Sequence, residues 1–366
     1  MRRATLTEAE QGTREVARPL RYGLAALAGT LLLAWLVHVD GAEEVGQRLI
    51  GLGPVLPLAL APYTLSSLFD ALGWRATLRA FDLEVPFVRL WLVRLAGEAV
   101  NSIAPTGVGG EPLKVLLLRA DGMRGAPAAA AVVASRTAVT VTQSLLVVFG
   151  IVALLGRLGR LVAAPIALVG LLALTGLFGL VLVRVQQGGF AQVLARGLAR
   201  LLPSTPTAAR IERRATDFDA RLATVYETRR PTLLVAAAWH MLGWLASAAE
   251  VWVLLRLLGV PISATDALIV EGLAQPIRAT CILIPGALGT QEGGGVALCQ
   301  MLGIPPGIGL TLWIVRRARE VVFDAIGLLY LPARNLSRML AGRARSGTGP
   351  APAAGTTGTG PPVSRG

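Results

Sequence analysis

Two glutamate–arginine couples stand at the same separation in two distant parts of the chain, Glu111 with Arg136 and Glu292 with Arg317. Each glutamate closes a proline- and glycine-rich motif, IAPTGVGGE before Glu111's neighbour Pro112 and LIPGALGTQE ending at Glu292. Pro105 and Gly109 in the first motif answer to Pro285 and Gly289 in the second. Gly110 precedes the first acid, and Gln291 and Gly293 bracket the second. Glu98, Asn101 and Lys114 surround the first motif, and Arg278 and Glu320 lie on either side of the second. Carboxylates and guanidinium groups offer three kinds of chemistry. They can neutralise one another, an arginine can bind a phosphate through its planar fork, or a carboxylate can move protons. Glu98, Glu111 and Glu292 could do acid–base work if their environments separated their pKa values. No nucleophile motif accompanies them, and the glycines neither follow a strand nor precede a Gly-Lys-Ser/Thr sequence, so no nucleotide-phosphate loop is present. Cys281 and Cys299 lie in apolar sequence, and His38 and His240 are far apart without ligand spacing. No metal and no cofactor is expected.

The elements that must carry these groups are apolar. The 366 residues are 54% hydrophobic and 16% charged, with a mean hydropathy of +0.61. Several windows approach the roughly 20 apolar residues that cross a bilayer. The clearest are residues 20–39, 51–72, 126–155, 161–183 and 233–255, with a more charged candidate at 308–331. An all-α polytopic membrane protein follows, with about six transmembrane helices. The net charge of +13 is carried almost wholly by arginine, Lys114 being the only lysine. The arginines gather beside the apolar windows, at 2–21, 75–94, 184–230 and 334–345, as cytoplasmic loops do under the positive-inside rule. No basic patch is interleaved with aromatics, so nucleic acid is excluded as a partner.

This charge pattern places both termini in the cytoplasm. Residues 1–19 form a cytoplasmic segment that runs into the first helix without a small-residue cleavage site. Residues 95–119 have arginines at both ends, so this segment enters and leaves on one side as a re-entrant hairpin turning at Pro105 and the glycines; the alternative is a pair of kinked helices. Arg157 and Arg160 would face outside, against the positive-inside rule. Residues 185–230 read as amphipathic helices on the cytoplasmic membrane surface, or as a solvated loop. A second broken apolar stretch spans 266–303. The final helix ends near Leu331, and 332–366 is a cytoplasmic tail, first basic and then, beyond Ala341, Gly/Thr/Pro/Ala-rich and expected to be disordered.

The echoes between the two regions extend beyond the motifs. Asp70, Trp74, Arg79 and Val85-Pro86 precede the first in the order that Glu250, Trp252, Arg256 and Val260-Pro261 precede the second. The chain therefore reads as an inverted repeat, residues 20–155 and 161–331, with opposed hairpins at 95–119 and 266–303. Interrupted segments at corresponding positions of two halves point to a transporter's midplane site. Each ionisable residue at the bilayer centre costs about 2.5–3.5 kcal/mol, so Glu98, Glu111, Lys114, Arg136, Arg278, Glu292 and Arg317 must be paired or hydrated. Their cations outnumber their carboxylates, which suits an anionic headgroup. For Arg119, Arg278 and Arg316, snorkelling to the interface is the alternative.

The segments GEAVNSIAPTGVGGEPLKVLLLR and PGALGTQEGGGVALCQMLGIPP, with RRARE beyond, resemble the transmembrane region of lysylphosphatidylglycerol synthases and its stand-alone, flippase-like relatives. LGTQEGG looks closest to the hopanoid-biosynthesis-associated membrane proteins of that superfamily. The resemblance implies a multi-pass protein of the bacterial cytoplasmic (inner) membrane that translocates a lipid or lipid-linked precursor, or supplies one to a lipid-biosynthesis enzyme partner. Full synthases carry a soluble aminoacyl-transferase domain after the membrane region, whereas this sequence continues into the tail; no aminoacyl-lipid synthesis, and no enzymatic activity, is expected. Two other readings use the same residues: an intramembrane lipid-modifying enzyme built on Glu98, Glu111 or Glu292, and a non-catalytic scaffold.

Overall fold

The structure, a computed structural model, describes residues 42–346 apart from 105–108, 160–162, 200–205 and 281–288, together with Leu31, Ala34, Trp35 and His38. The N-terminal segment, nearly all of the expected first crossing at 20–39, Pro105, Pro285, Cys281 and the tail from 347 onward lie outside the described residues.

Every regular element among the described residues is helical. Helix α1 (Ala42–Leu52) runs through a 3-10 turn (Gly53–Val55) into α2 (Leu56–Ala80). The acids Glu43 and Glu44 form the first turn of α1, where they complement the helix dipole. Next come α3 (Phe87–Ile103), α4 (Gly110–Ala120), α5 (Gly125–Arg157), α6 (Ala163–Gln187), α7 (Phe190–Ala199) and α8 (Pro206–Thr228). The last four are α9 (Arg230–Leu257), α10 (Ala264–Thr280), α11 (Thr290–Met301) and α12 (Pro306–Ser346).

Among the described residues, four helical stretches are long and apolar enough to cross a membrane: Glu43–Ala80, Gly125–Arg157, Leu168–Gln187 and Arg230–Leu257. The chain is an all-α, multi-pass membrane protein. The expected crossing at 308–331 falls inside α12, which has the length, but Arg316, Arg317, Arg319, Glu320 and Asp324 keep it out of that apolar set. α12 continues past its expected end near Leu331 to Ser346, so the basic stretch after Leu331 is helical. The physical reason is composition: Leu, Ala, Arg and Met in 331–345 favour helix, and the Gly/Thr/Pro-rich sequence starts only at 347.

Packing repeats between the halves. α2 and α9 lie against each other along their length, with Gly73 under the His240 ring and Gly243 under Asp70. These glycines let the helices approach closely, which supplies association energy where water cannot. α3 packs on α12, and α10 packs on α5. At the first crossing a Cβ on Gly327 would meet the carbonyl oxygen of Leu95 at 2.4 Å. At the second, a Cβ on Gly272 would meet the carbonyl oxygen of Leu146 at 2.8 Å. α3 thus rests on α12 and α10 on α5, the glycine sitting on opposite partners in the two crossings.

Among the described residues the arginine-rich insertion is helical, as the spacing of its apolar residues predicts, and not a loop. α8 packs on α5, α6 and α7, burying Leu222, Val225 and Tyr226. Tyr226 donates to Gln186 Oε1 at 2.5 Å, and Gln186 Nε2 donates to Thr137 Oγ1 at 2.8 Å. Burial pushes the Tyr226 hydroxyl above the usual tyrosine pKa. Asp219 accepts the backbone N–H groups of Ala191 and Gln192, at 3.2 and 2.9 Å, in the first turn of α7. α6 exposes Val169, Leu174, Leu177, Leu180 and Val181, the surface that a bilayer covers.

Candidate functional site

The first motif is held by its asparagine. Asn101 Oδ1, near the C-terminal end of α3, accepts the backbone N–H groups of Gly109 and Gly110 at 3.1 and 2.7 Å. Those donors open α4 and have no partner within their own helix, so the side chain satisfies them. Asn101 Nδ2 also approaches Glu111 Oε2 at 3.3 Å. Glycine is required at 110, where a Cβ would stand 2.1 Å from the Gly97 carbonyl oxygen. The stem of Lys114 crosses Gly97, and its Nζ reaches Glu98 Oε1 at 2.8 Å and Glu111 Oε1 at 3.7 Å. Arg136, on α5, completes the row with Nη1 3.8 Å from Glu111 Oε1. That is an ion pair without a hydrogen bond. The Arg136 side chain is 57% exposed.

The second motif is the same arrangement drawn tighter. Gly289 takes a positive φ of 71° where the chain enters α11, and its carbonyl accepts the Gly293 N–H at 2.8 Å. Arg317 donates to Glu292 Oε1 at 2.8 Å, to Glu320 Oε2 at 2.9 Å and to Gln291 Oε1 at 3.2 Å. Arg278 donates to the other Glu320 oxygen at 3.0 Å. Glu292 is 1% exposed, and the tight closure is set by Gly295, whose place leaves no room for a Cβ beside the Trp313 ring.

The structure therefore joins Glu98, Asn101, Gly109, Gly110, Glu111, Lys114 and Arg136 in one cluster, and Arg278, Gln291, Glu292, Arg317 and Glu320 in another. Of the arginines open to snorkelling, Arg119 is exposed at the end of α4, and Arg278 is part-exposed but bound to Glu320. Arg316 does not snorkel. It is 2% exposed, 2.6 Å from Glu271 and 3.5 Å from Glu250. Burial without a partner would be prohibitive, so the pairing decides its place.

Sequence reasoning missed several polar contacts behind these clusters. Asp70 pairs with Arg94 at 2.6 Å and with His240 Nδ1 at 2.9 Å. Glu250 pairs with Arg319 at 2.5 Å, and the Arg319 guanidinium lies 3.4 Å from the centre of the Tyr63 ring. Gln143 donates to Gln275 at 3.0 Å across the halves. The equivalence of Asp70 and Glu250 was the available signal; their partners come from different helices in the two halves and left no common spacing. Arg157, which fits the positive-inside rule poorly, is bound to Asp266 at 2.6 Å.

Among the described residues, no group of three or more His, Cys, Asp or Glu side chains is placed to hold a metal ion. Two shallow surface concavities, one beside Glu212, Arg213 and Asp217 and one beside Val185, Phe190 and Leu194, lie away from both clusters.

No curated protein and no solved structure matches the chain. The family model described as the lysylphosphatidylglycerol synthase TM region matches residues 22–327, a span that includes both motifs and every element from α1 to α11. The match does not single out the hopanoid-associated branch. With most of its length matched, this multi-pass chain belongs to the lysylphosphatidylglycerol synthase TM-region family.

Proposed function

We propose that the protein is a flippase-like translocator that carries a lipid or lipid-linked precursor with an anionic headgroup across the bacterial inner membrane, acting by transport and not by chemical conversion. The observation that carries this reading is the recurrence of one helix–turn–helix plus Glu–Arg unit in both halves, at equal sequence separation, with each unit resting on the last helix of the other half. In this reading α3/α4 and α10/α11 are re-entrant hairpins of an inverted repeat, entering from opposite faces and meeting near the midplane. Their lengths support it. Helices of 17 and 11 residues, and of 17 and 12, span about 16–26 Å each at 1.5 Å per residue, short of the roughly 30 Å hydrocarbon core. Both termini are then cytoplasmic.

The polar residues give a lipid headgroup a path through protein while the acyl chains stay in the bilayer. Glu98 and Glu111 engage Lys114, and Glu292 and Glu320 engage Arg317. This arrangement suits a gate or a binding surface better than a general acid or base. Purified protein in liposomes tests the reading: movement of labelled phospholipid between leaflets with unchanged lipid mass supports transport. A changed lipid mass supports a lipid-modifying enzyme instead, and neither change leaves a scaffold for a lipid-biosynthesis partner.

A further inference from the structure

The cations of the two clusters are not equivalent in what they have left to offer. Lys114 and Arg317 are spent: Lys114 is 10% exposed and engages two carboxylates, and Arg317 is 19% exposed and donates to three acceptors. Arg136 and Arg278 differ. Arg136 is 57% exposed and makes no side-chain hydrogen bond among the described residues, its nearest carboxylate oxygen being 3.8 Å away. Arg278 is 43% exposed and, among the described residues, uses one nitrogen, on Glu320.

These two arginines come from different halves, yet the packing of α5 on α10 brings them to one seam. Gly150 lies against Leu268 and Gly272, Leu146 against Gly272, and Gln143 against Gln275, so the helices run antiparallel. Arg136 is two helical turns before Gln143 on the same stripe of α5, about 10 Å along the axis. Arg278 is three residues beyond Gln275 in the same direction, about 4.5 Å along. The remaining axial offset of about 6 Å is within the reach of two extended guanidinium arms.

We propose that Arg136 and Arg278 form a two-arginine phosphate site across the seam between the halves, binding a phosphomonoester or phosphodiester through charge-assisted hydrogen bonds. Glu111 and Glu320 hold the two arms in place, each leaving its arginine with unclaimed N–H donors. The proposal rests on the transport reading for its biological ligand, and a lipid headgroup and free phosphate share this chemistry.

The test uses the full-length protein in detergent micelles, titrated with phosphatidylglycerol, with diacylglycerol and with inorganic phosphate, and binding is read by native mass spectrometry. Phosphatidylglycerol binds and diacylglycerol does not. Arg136→Gln and Arg278→Gln each lower phosphatidylglycerol affinity about tenfold or more with unchanged melting temperature, since each removes charge-assisted hydrogen bonds. Displacement by millimolar inorganic phosphate identifies free phosphate as a ligand of the site; failure to displace identifies the lipid headgroup. Retention of wild-type phosphatidylglycerol affinity by the Arg136→Gln/Arg278→Gln double variant overturns the proposal, even if the protein moves lipids. Loss of binding in that variant beside a wild type that moves no lipid leaves the site standing and removes the transport reading.

Discussion

Arg317 Nε donates to Glu292 Oε1 at 2.8 Å, and the carboxylate is 1% exposed; its counterpart pair, Arg136 and Glu111, stands at 3.8 Å with the arginine 57% exposed. One sequence relationship thus appears once closed and once open. The difference follows from the neighbours: Glu320 and Gln291 add two more acceptors around Arg317, whereas Lys114 shares Glu111 with Arg136.

Neutralising the closed pair therefore costs stability, and neutralising the open one does not. Arg317→Gln strands Glu292 and lowers stability by about 3–5 kcal/mol, the cost of a buried unpaired charge. Arg136→Gln costs under about 1 kcal/mol, as exposed pairs do. Glu292→Gln/Arg317→Gln recovers part of the first loss. Melting temperatures of the purified variants in one detergent decide it, and equal losses for the two single arginine variants contradict the structure.

The hairpin packing makes a steric prediction. A Cβ at Gly295 would fall 1.9 Å from the Trp313 ring, which is itself 2% exposed and cannot yield, whereas Gly176 faces open space. Gly295→Ala destabilises by about 1–3 kcal/mol or more through overpacking, and Gly176→Ala is silent. Fluorescence-detected size-exclusion profiles after graded heating read this directly; a Gly295→Ala profile matching wild type means that α11 and α12 are not packed as described.

The insertion between α6 and α9 should lie on the cytoplasmic side, with the α1 start and the α9–α10 turn outside. In a background with Cys281 and Cys299 replaced by alanine, single cysteines at Glu43 and Pro261 react with a membrane-impermeant thiol reagent in intact cells, and one at Thr216 does not. Reaction at Thr216 from outside reverses the topology.

The motif positions were legible because they obey local rules. Pro/Gly interruptions stop helices, and equal separation of Glu111–Arg136 and Glu292–Arg317 survives in the fold as two pairings across equivalent helices. What could not be read was the choice of partner where several acids and bases compete. Arg316 and Arg317 are adjacent in sequence, yet α-helical geometry turns one toward Glu250 and Glu271 and the other toward Glu292 and Glu320. Docking of α8 was equally hidden: the helical spacing of its apolar residues predicts an amphipathic helix but not that Leu222, Val225 and Tyr226 are buried against α5 and α6. The reach of α12 to Ser346 is not marked by apolarity, because the sequence beyond Leu331 turns basic while keeping its helix propensity.

Transport itself is tested most directly by following a headgroup-labelled anionic phospholipid in proteoliposomes, with an impermeant quencher outside. The account predicts that wild-type protein makes the inner-leaflet label reach the quencher at a rate proportional to protein content. Glu111→Gln and Glu292→Gln should abolish that rate while remaining folded by size-exclusion. A wild-type rate equal to that of protein-free liposomes, with and without an imposed ion gradient, or unimpaired transport in both glutamate variants, would contradict it.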